Sequence, residues 1–342
     1  MKLGIVTFHA AYNYGAVLQC RCLKEVLSAL GHEVHVLDYR PKYLTEPYRI
    51  LKPYYFKKPL LAVSLPWRLP GAYRRNQAFR QFEETLSLVP LGESCDAVIF
   101  GSDQIWNSRI CKGLDPVFFG AVPNFGPVKK IAYAASDGNA PLNLDEEMLF
   151  CRYLKDFYRI GVRERSLQDK LASHGIPATV TLDPVLLAGR PVLDKLAGYS
   201  KIGEPYVLTY EAVDHPRVQE LARGLSRERT VIAVAREPYS KGRNSCGPEE
   251  FVSLFRDAAA VVTTSFHGVA LSLLFHKAFY YVVTGTRADD RIQNLLQALG
   301  LEERMVAEGA PLPPSRTAYS QADAVLEKLR STSLDFIKEA LQ

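Results

Sequence analysis

Residues 258–283 hold the feature that most constrains the fold: a strand, a short polar turn, a helix and a second strand follow one another directly. Apolar residues predict strands over 258–262 and 278–283, and a helical pattern covers 269–274. Two strands joined through a helix are typical of a parallel sheet. The polar turn, residues 263–268, is therefore expected at the carboxyl edge of that sheet, where open α/β proteins bind ligands.

His267 stands in this turn, just before the predicted helix. The first backbone N–H groups of a helix carry partial positive charge and point toward whatever lies at that end. Histidine is the side chain whose unperturbed pKa allows it to give and take a proton near neutral pH. Two interpretations stay open: His267 transfers protons in catalysis, or it merely hydrogen-bonds a neighbouring loop.

The alternation of strand and helix recurs along the whole chain. It opens with a strand at 3–8, a helix at 16–30 and a strand at 33–38. Polar clusters follow four further predicted strands, at 96–100, 129–135, 159–162 and 179–182. The sequence therefore predicts an α/β fold with several polar groups at one sheet edge, although the dinucleotide and Walker glycine patterns are missing from the first turn.

The length of 342 residues corresponds to two domains at roughly 100–200 residues each. The apolar rhythm weakens near 190–204, where we place the boundary. We predict an amino-terminal α/β domain at 1–195, a carboxy-terminal α/β domain at 196–316, and a long bracing helix at 317–342. Strands at 206–210 and 230–235 begin the second domain.

Composition narrows the class of protein. Hydrophobic residues make up 47% and charged residues 23%, which are ordinary globular values. The net charge of +5 does not by itself predict nucleic-acid binding. No apolar run approaches the ~18 residues that a membrane span needs, and the first residues lack a signal-peptide pattern, so we expect a cytoplasmic protein. The six cysteines show no zinc spacing, and no metal site is predicted.

The window 47–82 differs from the rest of the chain. It holds eight Lys or Arg, no Asp or Glu, and five prolines among several aromatic residues. The prolines are expected to interrupt regular structure. Three interpretations stay open: a basic flap over an active site, a surface that contacts an anionic membrane, and an irregular excursion with a solvated face.

The residues at the strand ends indicate a class of chemistry. Arginine binds carboxylate and phosphate through its planar fork, and Arg163, Arg287 and Arg291 follow predicted strands. Asp103 and Asp137 are carboxylates in similar positions. Residue types alone therefore favour a transferase with an anionic donor.

Five segments together carry a resemblance. They occur in the order and spacing of one family, and they are Asn13-Tyr14-Gly15-Ala16-Val17-Leu18-Gln19, Gly101-Ser102-Asp103-Gln104-Ile105-Trp106-Asn107, Val162-Arg163-Glu164-Arg165-Ser166, Leu182-Asp183-Pro184-Val185-Leu186-Leu187 and Thr264-Ser265-Phe266-His267-Gly268. With these segments the chain resembles the polysaccharide pyruvyl transferase family over nearly its whole length.

The resemblance implies two Rossmann-like domains arranged as in GT-B glycosyltransferases, with a cleft between them. It also implies transfer of an enolpyruvyl unit from phosphoenolpyruvate to a sugar, which gives a pyruvate ketal. Phosphoenolpyruvate is then a substrate, and no cofactor or metal is implied. His267 would be the catalytic histidine and Arg163 the donor-binding arginine, with Ser265 at the donor site.

Further roles are expected in each domain. A later basic residue holds the donor in the family, and we place it at Arg291, with Arg287 as second choice. Asp103 is the first choice for the general base and Asp137 the second, although Asp103 could equally cap the next helix. We expect the acceptor in the first domain, against side chains that include Asn13, Tyr14, Gln19 and Asp137.

The chain departs from the family pattern beside the histidine. Many members have Arg, an apolar residue and then His, whereas this chain has Ser265, Phe266 and His267. Another cation must then complete the phosphate site, and Arg236 and Arg165 are candidates.

The expected acceptor is a hexose of a surface-polysaccharide repeat unit carried on a lipid pyrophosphate. Window 47–82 would suit such an acceptor at the inner face of the membrane. Two other functions stay open. One is a GT-B glycosyltransferase that uses a nucleotide sugar, for which Glu211 could hold a ribose; the other is a non-catalytic glycan-binding partner.

Overall fold

Every strand pairing among the described residues is parallel, as the strand–helix alternation predicts. The structure is a computed structural model that describes residues 1–51, 59–198, 202–226, 229–236, 242–243, 245–310, 314 and 318–342. The chain forms two compact units. The first contains residues 1–47, 83–188 and 327–342, and the second contains residues 48–82 and 189–326.

The first unit is built on a seven-stranded sheet with the order β3-β2-β1-β4-β5-β6-β7. Its strands are β1 (Lys2–Val6), β2 (Glu33–Asp38), β3 (Leu88–Pro90), β4 (Ala97–Phe100), β5 (Lys129–Ala135), β6 (Arg159–Val162) and β7 (Thr179–Val180). The first six follow the Rossmann order. The direction of winding reverses between β1 and β4, and ligands bind at such switch points in open α/β sheets.

The helices that belong to the first unit alone are α1 (Tyr14–Ala29), α2 (Lys42–Thr45), α4 (Ser108–Cys111), α5 (Leu144–Leu154) and α6 (Arg165–Ser173). Helix α1 begins after Asn13, whose side chain accepts a hydrogen bond from Ala16 N at 3.2 Å. Val17, Leu23 and Leu27 are buried along it, as their helical spacing predicts. The segment that begins at Asn13 follows β1, one of the two strands at the switch point, and forms the start of this helix.

The second unit has a five-stranded sheet with the order β12-β11-β10-β8-β9. Its strands are β8 (Tyr206–Tyr210), β9 (Thr230–Val234), β10 (Ala260–Thr263), β11 (Ala278–Val282) and β12 (Met305–Val306). Its own helices are α8 (Pro216–Ser226), α9 (Pro248–Asp257), α10 (Phe266–Leu274) and α11 (Ala288–Leu299). Val207 and Val262 of the sheet share one buried cluster with Val218 and Leu221 of α8. Its switch point lies between β8 and β10.

Three helices divide their residues between the two units: α3 (Pro59–Glu84), α7 (Pro184–Leu196) and α12 (Tyr319–Leu341). In α7 the division falls at Gly189, which leaves the helical conformation with φ 69°. The sequence indicated a weakening apolar rhythm from residue 190, but a second helical segment follows the kink and ends at Leu196. None of the helices within the described ranges is long and apolar enough to cross a membrane.

The prediction that prolines prevent regular structure in window 47–82 is wrong for residues 59–82, which belong to α3. Pro66 and Pro70 lie inside this helix, since a proline can bend a helix without ending it. Four buried residues of this helix recur at helical spacing, and that spacing is the sequence signal that was missed. They are Ala72, Arg75, Phe79 and Phe82. Residues 52–58 of the window lie outside the described residues.

The two units group the chain differently from the predicted ranges 1–195, 196–316 and 317–342. Residues 48–82, placed with the first domain from the sequence, cluster with the second unit. The predicted terminal helix shares its residues between the two units, with the division after residue 326. The sequence order alone could not reveal either grouping, because both depend on which surfaces the helices cover.

Candidate active site

The turn after β10 is held together by the side chains of Thr263 and Ser265. Thr263 Oγ1 donates to the carbonyl oxygen of Tyr210 at 2.6 Å and accepts from Ser265 N at 3.0 Å. Ser265 is the N-cap of α10, and its side chain accepts from Gly268 N at 3.4 Å. Ser265, predicted to hold the donor, thus shapes the turn at the second unit's switch point.

His267 lies in the first turn of α10 and not in the preceding loop. The sequence placed the helix start at residue 269, because the polar residues and glycine before it hide the first turn. The residue is partly exposed, its Nε2 atom is buried, and its ring stands edge-on to the ring of Phe266, with the centroids 5.5 Å apart. A proton donor at this position would share the sheet edge with the positive end of α10.

Gly268 is needed for this arrangement. A Cβ added to it would lie 2.9 Å from Thr263 Cβ and closer still to Thr263 Oγ1, whose hydroxyl is fixed by two hydrogen bonds. We expect Gly268→Ala to destabilise the protein by ~1–3 kcal/mol through overpacking and to displace His267. Thermal unfolding and steady-state activity measure both effects. Gly224→Ala in α8, where a Cβ meets nothing within 4 Å, is the matched control and should unfold no earlier than wild type.

Arg291 lies close to the histidine turn. Its Cζ is 5.8 Å from the ring centre of Phe266, the residue before His267. Arg287, the second choice for the same role, is exposed at the N-cap position of α11. The structure thus associates Arg291 with the turn that carries the histidine, through the ring of Phe266.

Asp289 holds the loop that leads to Arg291, and sequence reasoning missed it. Its carboxylate accepts from the hydroxyl of Tyr281, from Thr284 N and Oγ1, and from Thr286 N. Burial, together with the bond to Asp289, raises the pKa of Tyr281, so this phenol stays a donor at neutral pH. Two threonines upstream of an aspartate at a helix start were the signal available in the sequence.

Arg163 forms a buried ion pair in the first unit. Its Nη2 lies 2.8 Å from Asp183 Oδ2, and the two side chains are 4% and 0% exposed. The same guanidinium donates to Ser102 Oγ, and Asp183 Oδ1 accepts from Val185 N at 2.8 Å. Asp183 therefore has a structural role, since its carboxylate holds the guanidinium of Arg163 in place.

A chain of hydrogen bonds extends from Ser102 across the switch point of the first sheet. Thr7 Oγ1 donates to Ser102 O at 2.7 Å and accepts from Gln19 Nε2 at 2.9 Å. Ser102 and Thr7 follow β4 and β1, the two strands at which the winding reverses. Arg163 is thereby linked to the end of the sheet where a ligand is expected.

The three acceptor candidates in α1 and its cap differ in exposure. Tyr14 and Gln19 are fully buried, and Gln19 hydrogen-bonds Thr7 and Ala16 O within the unit. Asn13 is partly exposed and caps α1. Asn13 thus offers more accessible surface than the other two candidates.

The two candidate bases also differ. Asp103 is partly exposed, has φ 77°, and accepts from Gln104 N at 2.8 Å. Asp137 is buried, accepts from Asn139 N at 2.9 Å and lies 3.3 Å from Lys170 Nζ. Asp137 is buried and its charge is paired with Lys170, so it is less suited than Asp103 to take a proton from an acceptor hydroxyl.

The two residues that could replace the family's additional arginine, Arg165 and Arg236, belong to different units. Arg165 is exposed at the start of α6 in the first unit. Arg236 follows β9 in the second unit and donates to Ala212 O. Within the described ranges, no group of three or more His, Cys, Asp or Glu side chains could hold a metal ion.

Comparisons with known proteins identify the family. The family model described as polysaccharide pyruvyl transferase matches residues 13–285. The chain belongs to the polysaccharide pyruvyl transferase family, as the five sequence segments predicted. A search of curated proteins found no match.

Solved structures are similar only at a distance. A protein described as a UDP-N-acetylglucosamine 2-epimerase from Listeria monocytogenes shares 13% identity with a TM-score of 0.49, over 99% of this chain and 89% of that one. An E. coli heptosyltransferase shares 13% identity with a TM-score of 0.39, over 97% and 100%. A UGT transferase from Siraitia grosvenorii shares 11% identity with a TM-score of 0.41, over 99% and 94%. The orders of the two observed sheets confirm the prediction of two Rossmann-like units.

Proposed function

We propose that the protein moves the enolpyruvyl group of phosphoenolpyruvate onto a hexose of a bacterial surface-polysaccharide repeat unit, forming a pyruvate ketal and releasing phosphate. Family membership supports the pyruvyl group and the polysaccharide. For the donor and the ketal, the proposal draws on the turn after β10. There His267 lies in the first turn of α10, and Arg291 lies near the ring of Phe266. A proton donor, a guanidinium and a helix N-terminus suit an anionic enol ester.

In the proposed mechanism protonated His267 gives a proton to the methylene carbon of phosphoenolpyruvate. The C=C electron pair forms the new C–H bond, and C2 becomes oxocarbenium-like. An acceptor hydroxyl attacks C2 and loses its proton to a general base. The C2–O bond to phosphate then breaks with its electron pair on phosphate. A second hydroxyl attacks C2 and closes the ring, and its proton passes to the imidazole of His267, which is neutral after the first step.

The donor carries close to three negative charges at neutral pH, so it needs several cations. Arg291 and Arg163 are the proposed partners, and Arg287 or Arg165 would supply the charge that the additional arginine provides in other members of the family. No metal or cofactor is required in this scheme. Asp103 is the proposed base, worth about 10²–10⁴-fold in rate, since Asp137 is paired with Lys170.

Phosphate release tests the proposal. Purified protein is incubated with phosphoenolpyruvate and a panel of acceptor glycans, and inorganic phosphate and acid-labile pyruvate are measured together. Equal amounts of both products, formed only when an acceptor is present, would support ketal transfer. Phosphate released without any acceptor, or consumption of a nucleotide sugar, would contradict it.

The hydrogen bonds that Asp289 accepts predict that a substitution at this residue, and not only one at His267, changes the kinetics. Asp289→Ala removes the acceptor for the donors at residues 281, 284 and 286, so the start of α11 and Arg291 should shift. Since small displacements in a site cost up to ~10²-fold, we expect kcat/KM for phosphoenolpyruvate to fall roughly 10–100-fold. Asp289→Asn, which keeps an acceptor oxygen, should retain part of the activity. Asn294→Ala, on the exposed face of α11, is the control and should match wild type.

A lipid-pyrophosphate acceptor would require approach to a membrane, and α3 has a suitable surface. Trp67 is 88% and Tyr73 64% exposed, and Arg74 and Arg80 are exposed on the same helix. Near an anionic surface each basic residue contributes ~1 kcal/mol, so loss of the two positive charges in the double variant Arg74→Glu, Arg80→Glu should weaken binding to phosphatidylserine vesicles roughly 30-fold, and the two added negative charges should weaken it further. Lys328→Glu with Lys338→Glu, exposed on α12, is the matched control. Equal vesicle binding by both double variants would remove α3 as the contact.

A further inference from the structure

A cavity in the second unit is lined by residues other than those of the histidine turn. It has a volume of about 400 Å³ and lies between the carboxyl ends of β8 and β9 and the start of α8. This volume falls within the ~300–1,000 Å³ range of small-molecule sites. Glu211 and Arg236, which line it, were only alternatives from the sequence, and none of the other lining residues was assigned a role.

Thr209, one of the residues that line this cavity, carries an unpaired hydroxyl. Thr209 Oγ1 is buried, the residue is 1% exposed, and the hydroxyl has no hydrogen-bond partner among the residues that the structure describes. Buried polar groups almost always have a partner, because an unpaired one has lost its bonds to water without replacement. A hydroxyl-bearing molecule in the cavity would supply that partner.

The wall of the cavity offers further donors and acceptors in fixed positions. Glu211 Oε2 accepts from His215 N at 2.8 Å, and Glu211 Oε1 accepts from Gln219 Nε2 at 3.2 Å. Each carboxylate oxygen keeps a further lone pair for a ligand. His215 Nδ1 accepts from Arg217 N at 3.2 Å, so the neutral ring carries its proton on Nε2. The carboxylate is therefore held in place before any ligand arrives.

These groups suit a neutral sugar better than an anion. Two carboxylates, Glu211 and Asp214, line the cavity and would repel phosphate. The single arginine, Arg236, already donates to Ala212 O. Carboxylate oxygens accept bonds from sugar hydroxyls, and Ala233 and Val234 provide apolar surface for the C–H groups of a pyranose ring.

We propose that this cavity binds one neutral pyranose unit. The loop that lines it is joined to the histidine turn, because Thr264 Oγ1 donates to Val213 O at 2.8 Å and accepts from Val213 N at 3.1 Å. A sugar bound here occupies the same sheet edge as His267, three residues beyond Thr264. Sugar binding itself is independent of the proposed function, whereas its identity as part of the acceptor glycan rests on that function.

Saturation-transfer NMR on the full chain, without phosphoenolpyruvate, tests the proposal directly. The probes are methyl α-D-glucopyranoside, methyl α-D-galactopyranoside and methyl α-D-mannopyranoside, each titrated alone. We expect at least one to bind, and Thr209→Val, which keeps the shape and removes the hydroxyl, to weaken its Kd roughly 3–10-fold. Thr230→Val, exposed at the amino end of β9, should bind as wild type does.

Gln219→Met, which removes the amide and keeps the length of the side chain, should also weaken the binding. The absence of binding by all three glycosides would overturn the proposal, as would an unchanged Kd in Thr209→Val. Binding of UMP that Thr209→Val abolishes, with no glycoside bound, would assign the cavity to a nucleotide instead. Glycoside binding in a protein that releases no phosphate from phosphoenolpyruvate would leave this inference standing and refute the proposed function alone.

Discussion

His267→Ala is expected to lower kcat for acceptor-dependent phosphate release by about 10²–10⁴-fold, the usual contribution of a general acid. His267 lies in the first turn of α10, so its removal leaves the cap formed by Ser265 and the bonds of Thr263 in place. The KM for phosphoenolpyruvate should change far less than kcat, because arginines, and not His267, are the proposed binding partners of the donor. Steady-state phosphate release at saturating acceptor measures both constants.

His276→Ala is the matched control in the same unit. His276 is exposed, lies 3.0 Å from Asp323 Oδ1 and stacks on Tyr319 with the ring centroids 4.5 Å apart. Its removal should leave kcat within about twofold of wild type, since loss of an exposed pair is worth ~0–1 kcal/mol of stability and touches no proposed substrate contact. A kcat that falls equally in both variants, or in neither, would contradict the role of His267.

Arg163→Ala is expected to cause the largest loss of stability of any substitution considered. It leaves the carboxylate of Asp183 buried without its cation, and breaking a buried pair in this way costs ~3–5 kcal/mol. For a unit of this size, that corresponds to a drop in melting temperature of roughly 6–20 °C. Differential scanning calorimetry of the full chain measures it, with Arg165→Ala, an exposed neighbour, as the stability control.

A second variant separates the structural role of Arg163 from donor binding. In Arg163→Met with Asp183→Asn both charges are gone, while position 183 keeps an oxygen that can accept from Val185 N. We expect most of the lost stability to return, because the buried unpaired charge is removed. If Arg163 also binds the donor, the KM for phosphoenolpyruvate should stay high in this variant. Recovery of both the melting temperature and the KM would show that Arg163 is structural only.

Much of the fold was readable from the sequence because apolar strands and helical periodicity are local signals. The strands at Glu33–Asp38, Lys129–Ala135, Arg159–Val162 and Tyr206–Tyr210 have the bounds that the sequence predicted. Helix α3 was missed because its two internal prolines outweighed a buried stripe that included Arg75, a residue type that seldom signals a core. The grouping of residues into units depends on non-local packing, which no local pattern records.

The candidate site was less predictable than the fold. Resemblance located His267 and Arg163, but it could not show that Asp183 neutralises Arg163 or that Gln19 and Tyr14 are buried. Asp289 went unrecognised because its partners gather around it only when the loop after β11 folds back. Thr209 carried no signal at all, since one threonine in an apolar strand looks like any other.

The most direct test of the central claim follows the pyruvyl carbon itself. Phosphoenolpyruvate labelled with ¹³C at C2 is incubated with the protein and candidate acceptor glycans, and the products are examined by NMR and mass spectrometry. The account predicts a new quaternary ketal carbon on the glycan, formed together with one phosphate and absent with His267→Ala. Labelled carbon that stays in phosphoenolpyruvate or appears as free pyruvate, while the same glycan gains a sugar from a nucleotide donor, would contradict it.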